Sequence, residues 1–108
     1  MSNFWVYILA SKKHGTLYIG VTSNLPKHIY EHQNNLVEGF TKEYQVHHLV
    51  YAEPHETAES AISREKRLKA WKRDWKINLI EQNNPHWEDL SQSPIFAGRI
   101  NGSLPAQG

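Results

Sequence analysis

Two short apolar runs open the chain. Residues 4–10 (FWVYILA) and 16–22 (TLYIGVT) are rich in β-branched and aromatic residues, and the segment between them, SKKHG, ends on Gly15. That order predicts a β-hairpin with a slightly long turn. Successive side chains of a strand alternate between its faces. Trp5, Tyr7 and Leu9 therefore share one side of the first strand, and Phe4, Val6 and Ile8 the other. On the second strand Leu17, Ile19 and Val21 share one side, with Tyr18 and Gly20 opposite. Gly20 has no side chain, which lets another group approach the backbone closely.

The pattern then changes to a helical period. Ser23 or Asn24 caps a helix with Pro26 in its first turn, where a missing N–H does no harm. Leu25, His28, Ile29 and His32 fall on one side of it; Lys27, Tyr30 and Glu31 point elsewhere. Residues 36–45 read as a loop. His47–Ala52 reads as a third strand, with Pro54 as its stop. A long helix follows over Thr57–Arg73, its apolar face formed by Ala58, Ala61, Ile62, Leu68 and Trp71. Glu65 falls in the middle of that face. Residues 74–82 keep helical spacing, either continuing this helix or following a bend near Arg73–Asp74. NNPHWEDL is a turn in which Pro85 and Trp87 cover the core. The order β-β-α-β-α-α predicts an α+β fold, a small three-stranded antiparallel sheet flanked by helices. Residues 1–90 form one domain, and 91–108, rich in Gly and Pro, a flexible tail.

An inward carboxylate is costly unless it is paired or bound to a metal. Glu65 is therefore either half of an ion pair (or an edge position with water access), or a metal ligand or general base. Composition narrows the chemistry. The chain of 108 residues contains no cysteine. That excludes disulfides, thiolate zinc sites and cysteine nucleophiles, and suits a reducing cytoplasm. The N-terminal apolar run is too short to cross a membrane. Net charge is only +1, yet residues 64–76 hold seven Lys or Arg against two acids. Arg64, Arg67, Lys69, Lys72 and Arg73, interleaved with Trp71 and Trp75, suit a phosphate backbone with bases to stack; the same pattern also describes a solvated helix face. His28 and His32, four residues apart, can share a metal, but zinc needs further nitrogen or sulfur ligands.

Taken together, VYI at 6–8, YIG at 18–20, GVTSNLPKHIYEH at 20–32, REKRLKAWKR at 64–73 and NPHW at 84–87 resemble the GIY-YIG nuclease superfamily, most closely its small single-domain bacterial members. The resemblance runs from about Trp5 to Leu90. It implies an endonuclease that hydrolyses phosphodiester bonds of DNA with one divalent ion, Mg²⁺ or Mn²⁺. Carried over by position, Glu65 is the metal ligand, and Tyr18, assisted by Tyr7, positions or deprotonates the attacking water. His32 matches a histidine that contacts the phosphate or joins proton transfer. Asn78 and Asn84 are alternative matches for a supporting asparagine. Lys27 and the basic segment are expected to bind nucleic acid, with the tryptophans favouring single-stranded or branched DNA.

The chain departs from the family at His28, which occupies the position of an arginine that binds the scissile phosphate. Arginine is always charged and bidentate; histidine at neutral pH is largely uncharged and makes one contact. Three readings follow: an acid-favoured nuclease using protonated His28, a substituted inactive form, or a nucleic-acid-binding module without cleavage.

Overall fold

The computed structural model describes residues 4–34 and 45–92. Its elements are β1 (Phe4–Ala10), β2 (Leu17–Thr22), α1 (Leu25–Gln33), β3 (His48–His55), α2 (Ala58–Ala70), α3 (Arg73–Asn83) and a 3-10 turn, Leu90–Gln92. The strands form an antiparallel sheet in the order β2-β1-β3. The expected α+β architecture and element order hold. The expected loop at 36–45 and tail at 91–108 fall mostly outside the described residues.

β1 is the central strand, and Val6 to Ala10 are all buried. Its apolar run is continuous because both faces are covered. Val6, Ile8 and Ala10 pack with Ala61 and Leu68 of α2, Ile80 of α3 and Trp87. Tyr7 and Leu9 pack on the opposite face with Leu25 and Ile29 of α1, Val46 and Leu49. A bulge opposite Ile8–Leu9 turns both Val50 and Tyr51 toward the α2–α3 side.

Four expectations are corrected. β3 does not stop before Pro54: it runs to His55, with Pro54 opposite Trp5. β3 is an edge strand, where a missing N–H can face away from the ladder. The long helix does not reach Arg73. It ends at Ala70, and Trp71 and Lys72 are both extended before α3 begins. No glycine or proline marks this elbow. Distant contacts hold it: the Arg73 guanidinium donates to the carbonyls of His14 and Gly15 at 2.6 Å each, and Lys76 Nζ donates to the Lys69 carbonyl at 3.2 Å. Ile62, placed on the buried face by period, is 43% exposed. Pro85 is exposed, and Trp87 alone of that pair covers the core.

Candidate active site

The cluster begins with strand register. Tyr7 is opposite Gly20, and Tyr18 is opposite Leu9. The two tyrosines are thus diagonal neighbours on one face, with ring centroids 6.3 Å apart. The Tyr7 ring lies across Gly20, where a Cβ would meet the phenol oxygen at 2.5 Å. The glycine of the YIG triplet is needed because the phenol occupies its side-chain space.

α1 closes over this pair. Asn24 caps it by accepting from the Lys27 N–H, and Leu25 and Ile29 anchor it to the sheet. That anchoring turns His28 and His32 inward. Tyr7 lies 6.3 Å from His28 and 6.2 Å from His32 by ring centroid, and Tyr18 lies 5.6 Å from His32. The two imidazoles are 6.2 Å apart.

The electrostatics assign different characters to these groups. Burial raises the Tyr7 phenol well above its ordinary range, and the nearby Tyr18, Glu65 and Glu31 add to the effect. That shift favours the neutral, hydrogen-bond-donating phenol at Tyr7. Burial also lowers His32, as do His28 and His47, while Glu31 opposes them. His32 is a neutral imidazole at neutral pH. The Nδ1 atom of His28 is buried and has no hydrogen-bond partner among the described residues. A buried polar atom without a protein partner is a place for a bound water or a ligand oxygen.

The Glu65 side chain is 19% exposed, and its partner Lys69 places it toward the β2 side of α2. Its carboxylate is not without a partner: Lys69 Nζ lies 2.8 Å away, one helical turn on. Lys69 also lines a cleft of ≈ 320 Å³ with Leu17, Tyr18, Ile19 and Lys76. Among the described residues no group of three or more His, Asp or Glu is arranged to hold a metal. A zinc-type site does not fit. A single accessible carboxylate does fit Mg²⁺ or Mn²⁺, which take one or two carboxylates and complete their shell with water and phosphate oxygens.

Residues 3–78 match the GIY-YIG catalytic domain. The chain belongs to the GIY-YIG family. It is 33% identical over 82 residues to a UPF0213 protein of Staphylococcus saprophyticus, covering 76% of this chain and 99% of that one. A UPF0213 protein of Staphylococcus aureus is 32% identical over the same shares. The solution NMR structure of a UPF0213 protein from Bacillus halodurans has the same fold, at 24% identity and a TM-score of 0.51 over 84% of this chain and 96% of that one. The GIY-YIG domain is a nuclease fold, so the coarse chemistry is phosphodiester hydrolysis on a nucleic acid. GIY-YIG nucleases are generally dependent on a divalent metal. Among the described residues no helix is long and apolar enough to cross a membrane.

The basic residues of this GIY-YIG chain divide between two flanks. Arg64 and Glu65 diverge by about 100° around α2. Arg64 faces β3, donating from Nε to both Glu53 oxygens at 3.2 and 3.1 Å and lying 5.3 Å over the Trp71 ring. Arg73 is engaged by the β1–β2 turn. Lys27, Arg67 and Lys72 are exposed, and Lys72 lies 6.0 Å from the ring of Trp75, itself 52% exposed. Asn84 is buried and spent on structure: its amide donates to the carbonyls of Val50 and Glu88 and accepts from the Glu88 N–H. Asn78 is exposed.

Sequence reasoning missed the Glu53 network and counted Lys76 only as part of the basic segment. Glu53 accepts from the Tyr51 hydroxyl at 2.6 Å and pairs with His55 at 2.6 Å, while His55 also meets the Ser60 hydroxyl. Alternation at 51, 53 and 55 was a signal for it, hidden by ending the strand before Pro54. The place of Lys76 in the cleft has no local signal, because the elbow brings it there.

Proposed function

We propose that the protein is a metal-dependent DNA endonuclease, using Mg²⁺ or Mn²⁺ and preferring single-stranded or branched DNA. One observation carries the reading: Tyr7, Tyr18, His28 and His32, drawn from three elements, form one cluster within the electrostatic reach of Glu65. Such a grouping offers what hydrolysis requires: a positioned water, donors for the non-bridging oxygens and a seat for a cation. In this reading Tyr18, at the cleft wall, orients the attacking water, and neutral Tyr7 donates a hydrogen bond to hold that arrangement. Neutral His32 accepts a proton. His28 Nδ1 meets a phosphate oxygen. Glu65 holds the divalent ion, which supplies charge neutralisation on the phosphate when bound. Lys27, Arg67, Lys69, Lys72 and the exposed Trp75 take the flanking strand. Arg64, Trp71 and Arg73 support the elbow on which those groups stand. The expected compartment is the cytoplasm, in keeping with a chain that has no cysteine.

His28 in place of arginine favours a second reading, a nucleic-acid-binding module without cleavage. End-labelled single- and double-stranded DNA, incubated with Mg²⁺, Mn²⁺ or chelator, separates the two. The nuclease reading expects cutting, faster on single strands, that chelator and Glu65→Ala both abolish. Binding without metal-dependent cutting supports the module. Absence of salt-sensitive binding contradicts both readings.

A further inference from the structure

The cleft beside β2 adds Leu17, Ile19 and Lys76, which the roles above do not use, to Tyr18 and Lys69. One wall is the outer edge of the sheet, at Leu17, Tyr18 and Ile19. The other is formed by Lys69 of α2 and Lys76 of α3, brought together by the elbow. Its volume, ≈ 320 Å³, falls at the small end of ligand sites. The lining contains two ammonium groups and no acid, so it favours an anion with an apolar body. Each ammonium has three donors. Lys69 spends one on Glu65, and Lys76 one on the Lys69 carbonyl. Donors remain on both.

Position gives this chemistry a meaning. Tyr18 is common to the cleft and to the phenol–imidazole cluster. Lys69 connects the cleft to Glu65. We propose that the cleft seats the nucleotide adjoining the cleaved phosphodiester, with sugar and base against Leu17 and Ile19 and its phosphate on Lys69 and Lys76. Lys69 passes from Glu65 to that phosphate when the strand arrives, freeing the carboxylate. The identity of the strand rests on the nuclease reading; the cleft adds the reason for its unpaired state, since a base held in a pair cannot enter a pocket at a sheet edge.

The test is an amide NMR titration of the whole chain in chelator with thymidine 5′-monophosphate, thymidine and inorganic phosphate. The monophosphate is expected to shift the amides of residues 17–19. Lys69→Gln and Lys76→Gln are each expected to weaken it by about fivefold, through loss of a charge-assisted contact. Thymidine and phosphate alone are each expected to bind about tenfold more weakly than the monophosphate. Glu65→Gln is expected to tighten binding by about threefold, because it removes a like charge and releases Lys69. Shifts elsewhere, unchanged affinity in both lysine variants, phosphate equal to the monophosphate, or no gain in Glu65→Gln each overturn the proposal. The same variants keep it distinct from the nuclease reading. If Glu65→Gln still cuts DNA, the metal-ligand role falls and the subsite stands. If Glu65→Gln abolishes cutting while the monophosphate ignores the cleft, the subsite falls alone.

Discussion

Glu53 and Glu65 are similar carboxylates on opposite flanks of α2, with side chains 20% and 19% exposed. Their surroundings differ. Glu53 is saturated: Tyr51, His55 and Arg64 all bond to it. Burial pushes its carboxyl up, but the hydrogen bonds from Tyr51 and His55 and the Arg64 charge outweigh that and hold it below the usual range. Glu65 pairs with Lys69, and the Tyr7 phenol, pushed up by burial, lies within its electrostatic reach. A saturated carboxylate locks a strand to a helix. One with a single lysine partner keeps acceptor capacity for a group that arrives from solvent.

The largest expected effects come from treating the two carboxylates alike. Glu65→Gln is expected to lower cutting by at least 10²–10³-fold, on the order expected for loss of a main charge-stabilising group. Its cost in stability is expected to stay under about 0.5 kcal/mol, since only an i,i+4 pair is lost. Glu53→Gln reverses the pattern. Arg64 and His55 lose their anion, which costs about 2 kcal/mol and lowers the thermal midpoint by roughly 10 °C. Its cutting rate per folded molecule is expected to hold. Single-turnover rates and thermal melts of both variants check this. Equal losses of activity would erase the distinction.

A substitution that fills the unmet demand sharpens it. His28→Arg places a permanent, bidentate charge where the buried Nδ1 has no partner among the described residues. Cutting at pH 7.5 is expected to rise on the order of 10²-fold, by the scale of one preorganised donor. An unchanged rate in the same assay shows that the imidazole already supplies what the reaction needs.

Legibility in the sequence divides along similar lines. The hairpin, the faces of Tyr7 and Tyr18 and the inward turn of His28 and His32 follow from periods of 2 and 3.6, which are local properties. The motif spacing then named Glu65, and the i,i+4 spacing to Lys69 already contained its ion pair. What failed depends on distant partners. The elbow at Trp71–Lys72 has no breaker of its own and is held by the 12–15 turn through Arg73. The cleft depends on that elbow. The Glu53 network required β3 to continue through Pro54, which only its edge position permits. Asn84 looked like a site residue because its motif neighbours did, yet its amide joins α3 to β3.

Proton titration separates the two regions with the smallest effect. His32 is held below its ordinary value by burial, with His28 and His47 acting in the same direction and Glu31 against them. The folded state therefore binds fewer protons than the unfolded chain below about pH 6.5. Stability falls as pH drops from there toward the folded value. Glu53 behaves with the opposite sign of shift: its contribution is present above the ordinary glutamate range and is lost as pH falls through its depressed folded value. As pH falls from 7, then, the α1 side loosens first, and the Glu53 side follows in stronger acid. Urea unfolding at pH 7.5, 6, 5 and 4 reads both. The decline between pH 6.5 and 5 is expected to flatten in His32→Gln and to persist in Glu53→Gln, while the decline below pH 5 shows the reverse. Parallel curves for the two variants would mean that the histidine pair and the saturated carboxylate belong to one cooperative network, and the contrast between the flanks of α2 would lose its physical basis.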